Sequence, residues 1–184
     1  MEQNEWIVIN YTLPREPSRI RVSIWRKLKK IGAINMQQSM WILPQSDENN
    51  DLLNEIKNDV SQNNGEAFVM KSSVDEDSKK IIIERFNAAR DEEYKELLEQ
   101  CDDFFAEIDK EIVRKNFTFA EIEENEDEYN KLIEWHKKIT KRDFFNASLK
   151  TVSAQELEKC KKMLDDFSNQ VYELNNENYL REEF

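Results

Sequence analysis

The chain has 184 residues, of which 36% are charged and 39% hydrophobic, with ten Phe, five Tyr and four Trp. That aromatic content supplies a core and excludes a disordered chain, while two Gly and three Pro exclude an all-β fold built on many tight turns. A net charge of -12 repels nucleic acid and anionic membranes on average, and no apolar run is long enough for a membrane span.

Trp6-Ile7-Val8-Ile9-Asn10-Tyr11 is aromatic and β-branched, and Pro14 and Pro17 close it; it reads as a central strand. Ser18 is the expected cap of a helix over 19–31, and Gly32 its left-handed stop. Val22, Ile24, Trp25, Leu28 and Ile31 are its expected buried face. Two strands over 33–38 and 39–43 follow, broken near Gln38-Ser39 and ended by Pro44. Asp47 opens a second helix with Leu52, Leu53, Ile56 and Val60 on one side, and Asn63-Asn64-Gly65 ends it. Residues 66–72 form a fourth strand. The order is βαββαβ, the ferredoxin-like arrangement of a four-stranded antiparallel sheet with two helices on one face.

The remainder reads as helix. A third helix over 78–114 carries Tyr94, Leu97, Cys101, Phe104 and Ile108 at alternating spacings of three and four, a coiled-coil seam. Thr118 with Glu121 makes a capping box for a fourth helix, and Phe117 with Ile122 a hydrophobic staple. Its seam is Ile122, Asn125, Tyr129, Leu132, His136 and Ile139. Ser153 with Glu156, and Val152 with Leu157, repeat the device for a fifth, whose seam is Leu157, Cys160, Leu164, Phe167, Val171 and Leu174. Long helices with short connections pack as antiparallel neighbours. The expected architecture is therefore α+β: a ferredoxin-like βαββαβ head over 1–74 and a three-helix antiparallel bundle over 75–184.

Cys101 and Cys160 fall on apolar seam positions and read as buried thiols of a reducing compartment. The acidic N-terminus lacks a signal pattern, so a cytoplasmic protein is expected. His136 has no Cys or carboxylate at ligand spacing, and reads as a hydrogen-bonded interior His rather than a metal ligand. The acidic residues of the third and fourth helices read as a solvated face paired with Arg90, Arg142 and Lys residues. Arg142-Asp143 is expected to tie down the loop after the fourth helix. No Gly-rich phosphate loop, Walker motif or HExxH occurs. Neither a catalytic residue, a metal nor a cofactor is expected, and the chain reads as a non-enzyme.

Charge is unevenly placed. Residues 1–44 hold seven Lys/Arg against three Asp/Glu, and the remaining 140 hold 20 against 36. Arg15, Arg19, Arg21, Arg26, Lys27, Lys29 and Lys30 lie within sixteen residues. Positions 19, 26 and 30 share one helix face. Such a stripe suits the neutralisation of DNA phosphates; an ordinary polar face paired with acidic residues of the same chain suits it equally.

The run Tyr11-Thr12-Leu13-Pro14-Arg15-Glu16-Pro17-Ser18-Arg19-Ile20-Arg21-Val22-Ser23-Ile24-Trp25-Arg26-Lys27-Leu28-Lys29-Lys30-Ile31-Gly32-Ala33 resembles the N-terminal domain of the chromate-resistance regulator ChrB. So do Gln37–Pro44, Phe86 with Arg90, Glu93 and Tyr94, Phe119–Glu126 with Trp135, and Lys141–Phe145. The resemblance spans nearly the whole chain and implies a transcriptional role. Larger ChrB proteins continue into a second domain beyond the point where this sequence stops, at Phe184, so a stand-alone form is expected. The head is also similar to the regulatory domain of PaaX-type repressors and to the small CRISPR adaptation nuclease. That nuclease places a metal-binding Asp where Thr12 stands here, so nuclease activity is not expected. The leading expectation is a DNA-associated regulatory module whose phosphate contacts come from Arg15, Arg19, Arg21, Arg26, Lys27 and Lys30. The rival is a protein-interaction module whose helices dock a partner protein; a homodimer through the sheet or a strand edge is also expected.

Overall fold

The structure, a computed structural model, describes residues 5–182. The elements are β1 (Glu5–Thr12), α1 (Ser18–Lys30), β2 (Ile34–Gln37), β3 (Met40–Pro44), α2 (Asp47–Gln62), β4 (Glu66–Ser73), α3 (Glu76–Arg114), α4 (Phe119–Lys141) and α5 (Lys150–Glu182). Among the described residues this is an α+β chain, mostly helical, with one antiparallel sheet in the order β2-β3-β1-β4. No helix is long and apolar enough to cross a membrane among these residues. The chain clusters into two compact units. One comprises the chain through Ala89 with Arg142–Phe145; the other comprises Arg90–Lys141 and the chain from Asn146. The change from strands to continuous helix falls between Ser73 and Glu76, whereas the units part inside α3.

In the first unit β1 is central, as its apolar run requires, pairing with β3 (Ile7 opposite Leu43) and with β4 (Val8 opposite Met70). Strand alternation sends Ile7, Ile9, Trp41 and Leu43 to one face, where Ile24 and Leu28 of α1 and Leu53, Ile56 and Val60 of α2 cover them. Trp6, Val8, Ile34 and Ile42 point the other way, onto Ile82 and Phe86 of α3, with Phe144 and Phe145 packed against the same cluster. Both faces of the central strand are thus buried, the physical meaning of a four-residue run without a polar break.

The helix ends show which local signals act. Ser46 caps α2 by accepting from the Asn49 amide at 3.0 Å, and Asp75 accepts from the Ser78 amide at 2.7 Å ahead of the first full turn of α3. Thr118 accepts from the Glu121 amide at 3.3 Å, as the capping box requires. Two expected caps are corrected. Ser18 lies inside α1, whose cap position is Pro17, with no side-chain hydrogen bond. Ser153 is fully buried inside α5, its hydroxyl turned back to the Lys150 carbonyl at 2.9 Å. The Asp91 carboxylate opens α5 instead, accepting from the Leu149 amide and the Ser148 hydroxyl, both at 2.9 Å. Val152, expected to staple that end, is exposed.

Gly32 has φ +83 and turns the chain out of α1, as a C-terminal glycine does. Gly65 is needed for space. A Cβ there would lie 2.7 Å from Val60 Cγ1 and 2.8 Å from Leu13 Cδ2, and would press on the Thr12 carbonyl. Backbone cannot swing away as a side-chain tip can, so Gly65→Ala should lower stability by about 1–3 kcal/mol, read as a lower urea midpoint at unchanged slope.

The second unit has its own core. Tyr94, Leu97, Cys101, Phe104 and Ile108 of α3 meet Leu132 and Ile139 of α4 and Leu157, Cys160, Leu164, Phe167 and Val171 of α5. The three seams are those the spacing predicts, except that Leu174 is 41% exposed. Cys101 and Cys160 are fully buried free thiols. The hydrogen bond between them, followed by burial, pushes the Cys160 thiol up, away from the reactive thiolate.

Candidate nucleic-acid interface

The buried row of α1 is Ile24 and Leu28, with Ile20 and Ile31 half-buried. These residues are spaced by four, four and three, one line along a helix. Everything cationic in the helix is therefore placed off that line. Arg15, Arg19, Arg21, Arg26, Lys27, Lys29 and Lys30 are all exposed.

Their partners differ. Arg21 Nη1 donates to the Pro14 carbonyl at 3.0 Å and also to the Arg15 carbonyl, so this guanidinium fastens the loop that carries Arg15. Lys27 is ion-paired with Asp59 of α2. Arg15, Arg19, Arg26 and Lys30 make no ion pair with a carboxylate among the described residues. Of the six expected contact residues, the structure thus leaves four with their charge uncompensated at close range, turns one to loop positioning and commits one to an ion pair.

Helix stability does not account for Arg19. The first turn of α1 holds no acidic residue, although Arg19 and Arg21 stand there. Cations at a helix N-terminus oppose the helix dipole, at about 0.3–1 kcal/mol each. Lys27, Lys29 and Lys30 in the last turn do match it.

Two residues expected in the core are corrected here. Val22 is 43% and Trp25 47% exposed. They lie off the Ile24–Leu28 line, beside the basic stripe, and Lys29 Nζ sits 5.9 Å from the Trp25 ring centroid. Sequence reasoning assigned Val22, Ile24, Trp25, Leu28 and Ile31 to one buried face and left out Ile20, which is half-buried; the spacing of 22, 25 and 29 is the signal that separates Val22 and Trp25 from the others.

The other expected site features resolve as structural contacts. Arg90, 1% exposed, pairs with Glu93 at 2.9 Å. Arg142 Nη1 reaches the Lys29 carbonyl at 3.5 Å, and its Cβ lies 3.0 Å from where a Cβ on Gly32 would stand. His136 packs its ring 5.8 Å from Tyr94. Its Nε2 is buried and makes no hydrogen bond among the described residues, which corrects the expected bonded His. Burial, then the charge of Lys150, lowers its pKa below the ordinary His value. In the acidic groove of the second unit, Asn116 Nδ2 donates to Glu111 at 2.6 Å and Glu121 at 2.7 Å. Among the described residues no group of three or more His, Cys, Asp or Glu is placed to hold a metal ion.

Comparison with known proteins adds one match. The family model described as Protein ChrB, N-terminal, matches residues 21–178. That span includes Arg21, Arg26, Lys27 and Lys30 and begins after Arg15 and Arg19. No curated protein and no solved structure matches the chain.

Proposed function

The chain belongs to the ChrB N-terminal family, and from that premise we propose that it is a DNA-associated transcriptional regulatory module of the chromate-resistance kind, acting by binding rather than catalysis. The observation that carries this reading is the exposed set Arg15, Arg19, Arg26 and Lys30, with no carboxylate closing on any of them among the described residues. Arg21 supports them by holding the loop, and Lys27 joins when a phosphate displaces Asp59. A chain with net charge -12 that still keeps such a stripe unpaired is built to attract a polyanion locally. The Debye length, about 8–10 Å at physiological salt, lets the stripe act while the rest of the charge is screened.

We also read the first unit as a ferredoxin-like head, supported by its βαββαβ order and the β2-β3-β1-β4 sheet. The second we read as a three-helix antiparallel bundle, supported by the core its helices share. DNA docks on α1 of the head in this reading.

The test is the salt dependence of binding to duplex DNA from the gene's own promoter. Four phosphate contacts predict a slope of log K against log salt of about -4. A slope near zero, or no retarded complex at any salt, removes the proposal. A second reading, a protein-interaction module, is favoured by a separate feature. Phe68 and Met70 of β4, a strand at the edge of the sheet, are 65% and 49% exposed. Sedimentation showing a stable dimer, with no nucleic acid bound, would favour that reading.

A further inference from the structure

Trp25 is not explained by phosphate neutralisation. Trp6 and Trp41 are 0% and 3% exposed, and Trp135 is half-buried. Trp25 at 47% is left in the open on a charged helix, where it contributes little to the core. The ammonium of Lys29, one helical turn on, lies 5.9 Å from its ring centroid. Arg26 is adjacent in the chain and also exposed.

An exposed indole with a cation beside it presents two things at once: a flat π-surface and a positive charge a few ångströms away. A nucleotide presents their complements, a base and a phosphate. A duplex offers the phosphates but not the base, because each base face inside it is already stacked; an unpaired strand offers both. We propose that the α1 face takes nucleic acid with at least one unpaired base, which stacks on Trp25 while Lys29 and Arg26 hold its flanking phosphates. The inference rests on the reading of α1 as a nucleic-acid surface and adds to its phosphate contacts a preference for sites with an unpaired or locally opened base.

The experiment uses the full chain and one labelled mixed-sequence oligonucleotide of fifteen nucleotides, as a single strand and annealed to its complement. The wild type is expected to bind the strand at least as tightly as the duplex, with quenching of tryptophan emission. Trp25→Ala should weaken strand binding about tenfold and abolish the quenching; Trp25→Phe, which keeps a stacking face, should retain most of the affinity while losing the quenching, because the indole that reports it is gone. Trp25 is 47% exposed and lies outside the core clusters, so both variants should fold, with Trp25→Phe melting closer to the wild type. The Phe variant tests the same point should the Ala variant be unstable. Wild-type affinity of Trp25→Ala for the strand overturns the inference, as does an equal loss on strand and duplex. If the duplex binds in an Arg19- and Arg26-dependent way while Trp25 is silent, this inference fails and the regulatory reading stands. If neither form binds, both fail.

Discussion

Reversing two charges, Arg19→Glu with Arg26→Glu, should remove binding to promoter DNA while leaving the protein folded. Both side chains are exposed and make no ion pair with a carboxylate among the described residues, so the native state loses no contact of that kind. Arg19→Glu also places an anion in the first turn of α1, where the dipole favours it by about 0.3–1 kcal/mol. Stability should therefore stay within about 0.5 kcal/mol of the wild type or rise slightly. Binding responds differently. Two phosphate contacts disappear and two repulsions replace them, so affinity at physiological salt should fall on the order of a hundredfold or more. The salt slope should flatten by about two. Lys71→Glu on β4 is the control, since Lys71 is exposed but outside α1. An electrophoretic shift of the double variant indistinguishable from the wild type would sink the assignment of α1. A double variant that loses DNA but also melts far below the wild type would show that these arginines hold the fold.

The parts of this molecule set by local pattern are legible in its sequence. The seams of α3, α4 and α5 follow from spacings of three and four, and Thr118 announces α4 through its own hydroxyl. Gly32 marks the end of α1 because its left-handed φ is a backbone property. What sequence reading misses is long-range. Asp91 opens α5 from more than fifty residues away, so Ser153-x-x-Glu156, a well-formed capping box, sits unused just inside the start of α5. Phe144 and Phe145 join the core beneath β1 from a loop after α4. Nothing local to them says so, although the unbroken Trp6–Ile9 run already implies that something covers the second face. The site divides the same way. Basic residues of α1 are visible by inspection, but which are paired depends on Asp59 of α2. Exposure of Trp25 depends on which helical row the sheet selects.

Trp6 is where that second core is most exposed to a single change. Its ring is fully buried, stacked on Phe86 at 5.9 Å and tilted against Phe145 at 5.8 Å. It sits on the central strand opposite Pro44 and Ser72, so neighbours on both strands limit collapse into a void. Trp6→Ala should cost about 3–5 kcal/mol, a large part of the 5–15 kcal/mol that holds a typical domain together. Trp6→Phe should cost much less than the volume change alone suggests. The indole Nε1 is buried and finds no hydrogen-bond partner among the described residues. A buried unsatisfied donor carries a penalty of about 1–3 kcal/mol, and Phe removes that donor while keeping one aromatic ring against Phe86 and Phe145. The two terms oppose each other, so we expect a net loss near 1 kcal/mol, measured by urea unfolding. A Phe variant as unstable as the Ala variant would mean that the indole N–H is satisfied in solution. In that case its hydrogen bond, rather than ring packing alone, anchors the second face of the sheet.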